Sequence, residues 1–295
     1  MRLIHITDPH LSNLTGVRFS SLRGKRWSGY ISWVKNRQKK YLPAILEQLT
    51  NAVIAENADQ ILLTGDLVQI GLKTEIAQAK QWLASLGAAG QVMLIPGNHD
   101  TYAKDSVDEV FNAWGNYLFQ GHGNAGRGFP VVRDFGNLRL IGVSTACVTP
   151  IFMASGSLGS VQLEKLTEIL QQCSDEGRLA CLLIHHPPLP GMTKWRKALT
   201  DAKALKAVLQ KNTPHLIFHG HLHHNRELVW GDTRIYCTSA ASSASDASYR
   251  VVDIEDAEDH WTICSVLKSI ALDEDENLSF VAVDEQSWQL MKQTV

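Results

Sequence analysis

The 295-residue sequence is poor in cysteine, and the little it has forms no pattern. Cys147, Cys173, Cys181, Cys237 and Cys264 are five, an odd number, without a C-x-x-C pair. That argues against a disulfide framework and predicts reduced, mostly buried thiols in a reducing compartment, hence a cytoplasmic protein. No apolar run approaches the roughly 18 residues of a membrane-spanning helix. The opening "MRLIHITDPH" has one basic residue and an apolar stretch interrupted by His5, unlike a secretory signal. Repeats are absent, and "SAASSASDAS" (239–248) is too short to link domains. The remaining composition, 44% hydrophobic and 20% charged, is that of an ordinary globular protein. Its core needs no covalent staples at this length.

Acid is missing from one region altogether. From His10 to Leu46 there are eight Lys or Arg residues and no Asp or Glu. From Val251 onward there are eleven acids against Lys268 and Lys292, so the net charge of −2 conceals two opposed surfaces.

What is present is a series of short apolar runs: 2–7, 60–64, 91–95, 138–144, 179–184 and 215–219. Bounded by Gly, Pro or Asp and mostly apolar throughout, they predict strands covered on both faces. Between them, Leu42, Ile45, Leu46, Leu49 and Val53 recur at helical spacing. So do Ile76, Ala79, Trp82, Leu83 and Leu86, then Leu163, Leu166, Ile169 and Leu170, then Ala204, Leu205, Val208 and Leu209. Alternation of the two predicts βαβ units and a largely parallel sheet. After His224 the runs are strand-like with short turns, and a second, mainly antiparallel sheet is expected there.

Five of the strands run straight into metal-competent side chains. Asp8 and His10 follow the first, Asp66 the second and Asn98, His99 and Asp100 the third. His185 and His186 follow 179–184, and His221 and His223 follow 215–219. Each piece alone is a weak signal. Together they are informative, because the carboxyl ends of parallel strands lie along one edge, where ligands bind. A nitrogen and oxygen donor set without thiolate suits Mn, Fe, Zn or Co. It has too many donors for one tetrahedral ion and enough for two. His5, His122, His215 and His260 fall outside the pattern and are read as structural or exposed; His224 is read as a solvated turn residue.

In this order, "DPH", "GD", "GNHD", "HHPP" and "GHLH" resemble the calcineurin-like metallophosphoesterase superfamily, over residues 1 to about 240. The bacterial small-molecule phosphodiesterases are the most similar branch. The resemblance implies an α/β fold, a four-layer αββα sandwich with two mixed β-sheets face to face and helices outside. It implies two divalent transition-metal ions, one on Asp8, His10, Asp66 and His223, the other on Asp66, Asn98, His185 and His221. His185 is preferred to His186 because the family's ligand lies two residues before the proline. His99 would protonate the leaving oxygen, and Asp100 would hydrogen-bond His99 and favour its charged form. A hydroxide bridging the metals would attack phosphorus in line.

Residues 1–267 are accordingly read as one domain and 268–295 as a carboxyl-terminal extension. Residues 11–41 form a basic, aromatic insert overhanging the metal edge. Trp27, Tyr30, Ile31 and Val34 lie there at helical spacing among Lys and Arg. One reading is an amphipathic helix packed on the protein with solvated charges. Another is a cap that contacts a lipid, or the inner face of a membrane peripherally, a loose analogy with the inserts of UDP-diacylglucosamine pyrophosphatases. Nucleic acid is disfavoured by the acidic carboxyl-terminal part. The expected substrate is a small-molecule phosphodiester or pyrophosphate, with a nucleotide or glycerophosphodiester leading. A lipid-linked diphosphate is the alternative, and a non-catalytic protein-binding scaffold is the alternative of another class.

Overall fold

The apolar runs become the inner strands of two six-stranded sheets. In the computed structural model, which describes residues 1–11, 13–119, 128–272 and 278–292, β1 (Arg2–Ile6), β2 (Gln60–Leu63) and β3 (Val92–Leu94) pair in parallel. β10 (Ser248–Asp256), β11 (His260–Leu272) and β12 (Leu278–Met291) extend that sheet antiparallel, giving the order β12-β11-β10-β1-β2-β3. The second sheet has the order β4-β5-β6-β7-β9-β8. Its parallel centre is β5 (Leu138–Gly142), β6 (Leu179–Ile184), β7 (Leu216–His219) and β9 (Thr233–Cys237). Antiparallel β4 (Val131–Phe135) and β8 (Arg226–Trp230) form its edges. His122 lies outside the described residues.

The inner strands of each sheet are apolar on both faces because both are covered. Leu3, Leu62 and Met93 of one sheet meet Leu183, Phe218 and Tyr236 of the other in the central layer. The outer face of the first sheet carries α3 (Pro43–Ala55), α4 (Lys73–Leu86) and α5 (Lys104–Phe119). That of the second carries α6 (Ser160–Asp175) and α7 (Ala202–Lys211). The protein is thus an αββα sandwich of two mixed sheets.

Two expectations are corrected. The strands after His224 do not form a sheet of their own: β8 and β9 join the second sheet, while β10 to β12 complete the first. The boundary at 267 falls inside β11, and β12 pairs with β11 from Leu272↔Leu278 to His260↔Met291. Of the residues set apart as an extension, 268–272 and 278–291 form an edge of the first sheet.

The insert folds as α1 (Lys25–Ser32), a π turn over Trp33–Arg37 and α2 (Gln38–Lys40). It is helical as expected, but the stripe Trp27, Ile31 and Val34 faces outward. The face that packs is Arg26, Gly29 and Trp33. Trp33 sits with Leu14, Leu22, Ile70, Leu72 and Tyr102 in a small core. Arg26 donates to the carbonyls of Ile70 and Gly71 and pairs with Asp105 at 2.8 Å.

Candidate metal centre

The loops leaving β1, β2, β3, β6 and β7 converge at one rim, between the ends of the two sheets. Asp8, His10 and Asp66 of the first sheet face His223 of the second, their donor atoms all within 4.8 Å of one another. Asp66, His185 and His221 form an adjoining group, their donor atoms also within 4.8 Å of one another. Asn98 Oδ1 lies 3.3 Å from His185 Nε2 and so borders the second group. All seven residues named from the sequence therefore come together, and Asp66 belongs to both groups.

The backbone is bent to achieve this. Asp8, His10, Asp66, His221 and His223 all have positive φ, between +43° and +72°. Such angles are uncommon outside glycine, and they turn each side chain back toward the rim. Two glycines make room. A Cβ on Gly97 would lie 2.2 Å from Asp66 Oδ1, and one on Gly220 would lie 2.0 Å from Thr7 Oγ1.

Hydrogen bonds orient the imidazoles. His10 Nδ1–H donates to the Val68 carbonyl at 3.2 Å, and His185 Nδ1–H donates to the Thr64 carbonyl at 2.6 Å. A carbonyl can only accept, so in the neutral form of both rings Nε2 carries the free lone pair. His223 Nδ1 lies 2.5 Å from the Tyr41 hydroxyl. Asp8 Oδ2 accepts from Thr7 Oγ1 and the His221 amide. His221 Nε2 is buried without a hydrogen-bond partner, and Asp8 Oδ1 meets His223 Nε2, at 3.0 Å. A buried imidazole nitrogen left unpaired beside a carboxylate oxygen is what a cation would satisfy. The donor set and its geometry fit divalent metal ions, as the sequence implied.

Electrostatics follow the burial. Desolvation pulls His221 well below the usual histidine range and His10 down to about 3. His185 is also disfavoured by burial, yet the Asp66 carboxylate outweighs this and lifts it to about 9. Burial would raise Asp66, but His185 and His99 hold it well below the ordinary carboxylate range.

The pairing expected of Asp100 is not found. Its carboxylate accepts from the backbone amides of Asp66, Leu67, Val68 and Gly97, at 2.8 to 3.3 Å. It clamps the β2 loop to the β3 loop, because four convergent N–H groups outcompete one imidazole. Burial and Asp66 push its pKa up to about 7, while those amides pull the other way. His99 instead donates Nδ1–H to the Gln69 carbonyl at 2.5 Å and lies 3.3 Å from Arg37 Nη1. Burial and Arg37 hold His99 well below the usual range, so its charged form is disfavoured, contrary to expectation. His186 is buried, with Nε2–H donating to the Ala154 carbonyl and Nδ1 accepting from Thr145.

Arg37, Tyr41, Thr7 and Gln69 are site residues not singled out from the sequence. Only Arg37 and Tyr41 carried a signal, as members of the basic aromatic insert. Lys25 reaches the same side from α1, over the Tyr102 ring at 4.6 Å, and Tyr102 stacks on His99.

The sequence matches the family model described as calcineurin-like phosphoesterase over residues 1–225. It is 28% identical over 247 residues to the Escherichia coli (strain K12) 3',5'-cyclic adenosine monophosphate phosphodiesterase CpdA, covering 81% of this chain and 75% of that protein. It is also 28% identical over 200 residues to a probable cyclic nucleotide phosphodiesterase of Vesicomyosocius okutanii subsp. Calyptogena okutanii (strain HA), covering 66% of this chain and 76% of that one. Among solved structures, a dimetal phosphatase from Danio rerio shares the fold at a TM-score of 0.61 and 12% identity, over 97% of this chain and 98% of that one. Fold, converging donors and sequence agree: the chain belongs to the calcineurin-like phosphoesterase family and is a hydrolytic phosphoesterase rather than a non-catalytic scaffold.

Proposed function

We propose that the chain hydrolyses a phosphodiester bond of a small nucleotide, of the cyclic kind named for its relatives, at a centre of two divalent metal ions. The observation that carries this is the pair of adjoining donor groups that share Asp66. One ion would be held by Asp8, His10, Asp66 and His223, the other by Asp66, Asn98, His185 and His221. Mn, Fe, Zn and Co all suit these donors. When bound, the ions neutralise phosphoryl charge and acidify water near neutral pH.

The chain's own groups do the rest. Asn98 contributes a neutral oxygen. His99, with Nδ1–H committed to Gln69, keeps Nε2 for the substrate; it protonates the leaving oxygen only as the imidazolium, the form that a bound phosphate anion favours. Arg37 beside it adds positive charge where the phosphate anion enters. Asp100 acts through the loop it clamps and touches no reacting atom.

The test is a panel of cyclic nucleotides, glycerophosphodiesters, nucleotide-diphosphate sugars and phosphomonoesters with added manganese. Turnover led by the cyclic nucleotides supports the reading. Turnover confined to nucleotide-diphosphate sugars overturns the substrate. Fewer than about two ions per chain in protein purified without chelator overturns the dinuclear centre.

A further inference from the structure

Three segments frame the mouth of the metal centre, and each leaves large apolar side chains bare. The insert exposes Phe19, Trp27 and Ile31. The loop after β5 exposes Ile151 and Phe152, the latter at 79%, and the loop after β6 exposes Trp195 at 74%. Single exposed apolar residues need no explanation, but a joined set does.

These segments are joined. The rings of Phe19 and Trp27 are 5.7 Å apart. Lys25 Nζ donates to Thr149 Oγ1 at 2.5 Å and to the Met153 carbonyl at 2.9 Å, tying the insert to the loop after β5. The Ala154 amide donates to the Arg196 carbonyl at 2.9 Å, tying that loop to the one after β6. Each segment also touches the centre. Arg37 reaches His99, and the Ala154 carbonyl holds His186, whose ring lies 4.5 Å from that of His221. Phe152 is held at φ +66°, an outlying conformation for a bulky residue. Backbone strain that keeps an aromatic ring in water points to a function for the ring.

Acids are absent from the three segments themselves, and two that touch them are engaged: Asp105 pairs with Arg26, and Asp201 accepts from Ser157, Leu158 and Gly159. No Asp or Glu occurs from His10 to Leu46, from Phe135 to Leu163, or from Gly177 to Thr200. Arg18, Arg23, Lys35, Lys39, Arg196 and Lys197 are exposed there, and among the described residues none of these six is ion-paired. Apolar tips set among unpaired cations match a layer of lipid phosphates above acyl chains. They do not match a second copy of the chain, since a two-fold contact would press one set of unpaired cations on another.

We propose that this rim docks on the surface of an anionic bilayer. Ile31, Phe152 and Trp195 enter the boundary between headgroups and acyl chains. The flanking cations meet the lipid phosphates, and the metal centre opens toward the membrane.

The test sediments the full chain with vesicles of phosphatidylglycerol and phosphatidylcholine, and with vesicles of phosphatidylcholine alone. Binding to the anionic vesicles that weakens with salt is expected. The triple variant Ile31→Ser, Phe152→Ser, Trp195→Ser should lower partitioning by about tenfold or more while melting at the wild-type temperature. The variant Lys35→Glu, Lys39→Glu, Arg196→Glu should lower it comparably at low salt, independently of apolar contact. Absence of binding at low salt overturns the proposal. So does a triple variant that binds as well as wild type, which would reduce the rim to a general polyanion patch. A dimer that the triple variant breaks, without vesicle binding, assigns the rim to a second copy and also overturns it. Binding is read without substrate, so the outcome stands apart from which phosphodiester is cleaved.

Discussion

Asp66 lies where the two donor groups overlap, so Asp66→Ala should lose both ions and activity together, read by metal analysis beside steady-state kinetics. His99→Ala should keep the metal and lose about 10²- to 10⁴-fold in kcat. Full activity of that variant on a poor leaving group would remove His99 from the chemistry. Asp100→Ala leaves four buried backbone amides unpaired and should cost about 3–5 kcal/mol, measured by denaturant unfolding. Its rate per bound metal should change little. Gly97→Ala drives a methyl into Asp66 Oδ1 and should lower metal content without touching a donor. The seven donors were legible because donor chemistry resides in side-chain type and strand ends are visible as apolar runs that stop. The partners of Asp100 and His99 were not, because backbone amides and the Gln69 carbonyl look the same at every position of a sequence.

At the scale of elements, the insert is the part whose packing the sequence misdirected. Its most conspicuous stripe faces out, and Trp33, one step off that stripe, anchors the segment. Trp33→Ala should cost about 3–5 kcal/mol where it packs and loosen Arg37 from His99. A raised KM with metal content unchanged is the expected reading, and an unaltered KM would show that Arg37 holds its place without the anchor. The parallel strands were legible from unbroken apolar runs. The partition of β8 to β12 was not, because alternation along an antiparallel strand does not say which sheet it joins. α5 was missed although Val110, Trp114 and Leu118 recur every four residues and are buried.

For the molecule as a whole, each donor group draws on both sheets, so bound ions hold the two sheet ends together. Chelation should therefore lower the melting temperature, by about 5–10 °C for tight sites, and readdition of manganese should restore it. A melting curve indifferent to chelator would mean that the rim is held by hydrogen bonds alone. The first sheet also joins residues far apart in the sequence. Arg2 pairs with Asp253, and the amino group of Met1 donates to the Ile254 carbonyl at 2.6 Å. On a ribosome adding about 5–20 residues per second, β1 then waits on the order of 10–50 s for the strand that covers its open side. Throughout that interval the nascent protein presents a bare hydrogen-bonding edge to its neighbours, and it is there, before β10 has been translated, that misassembly between growing copies has its opening.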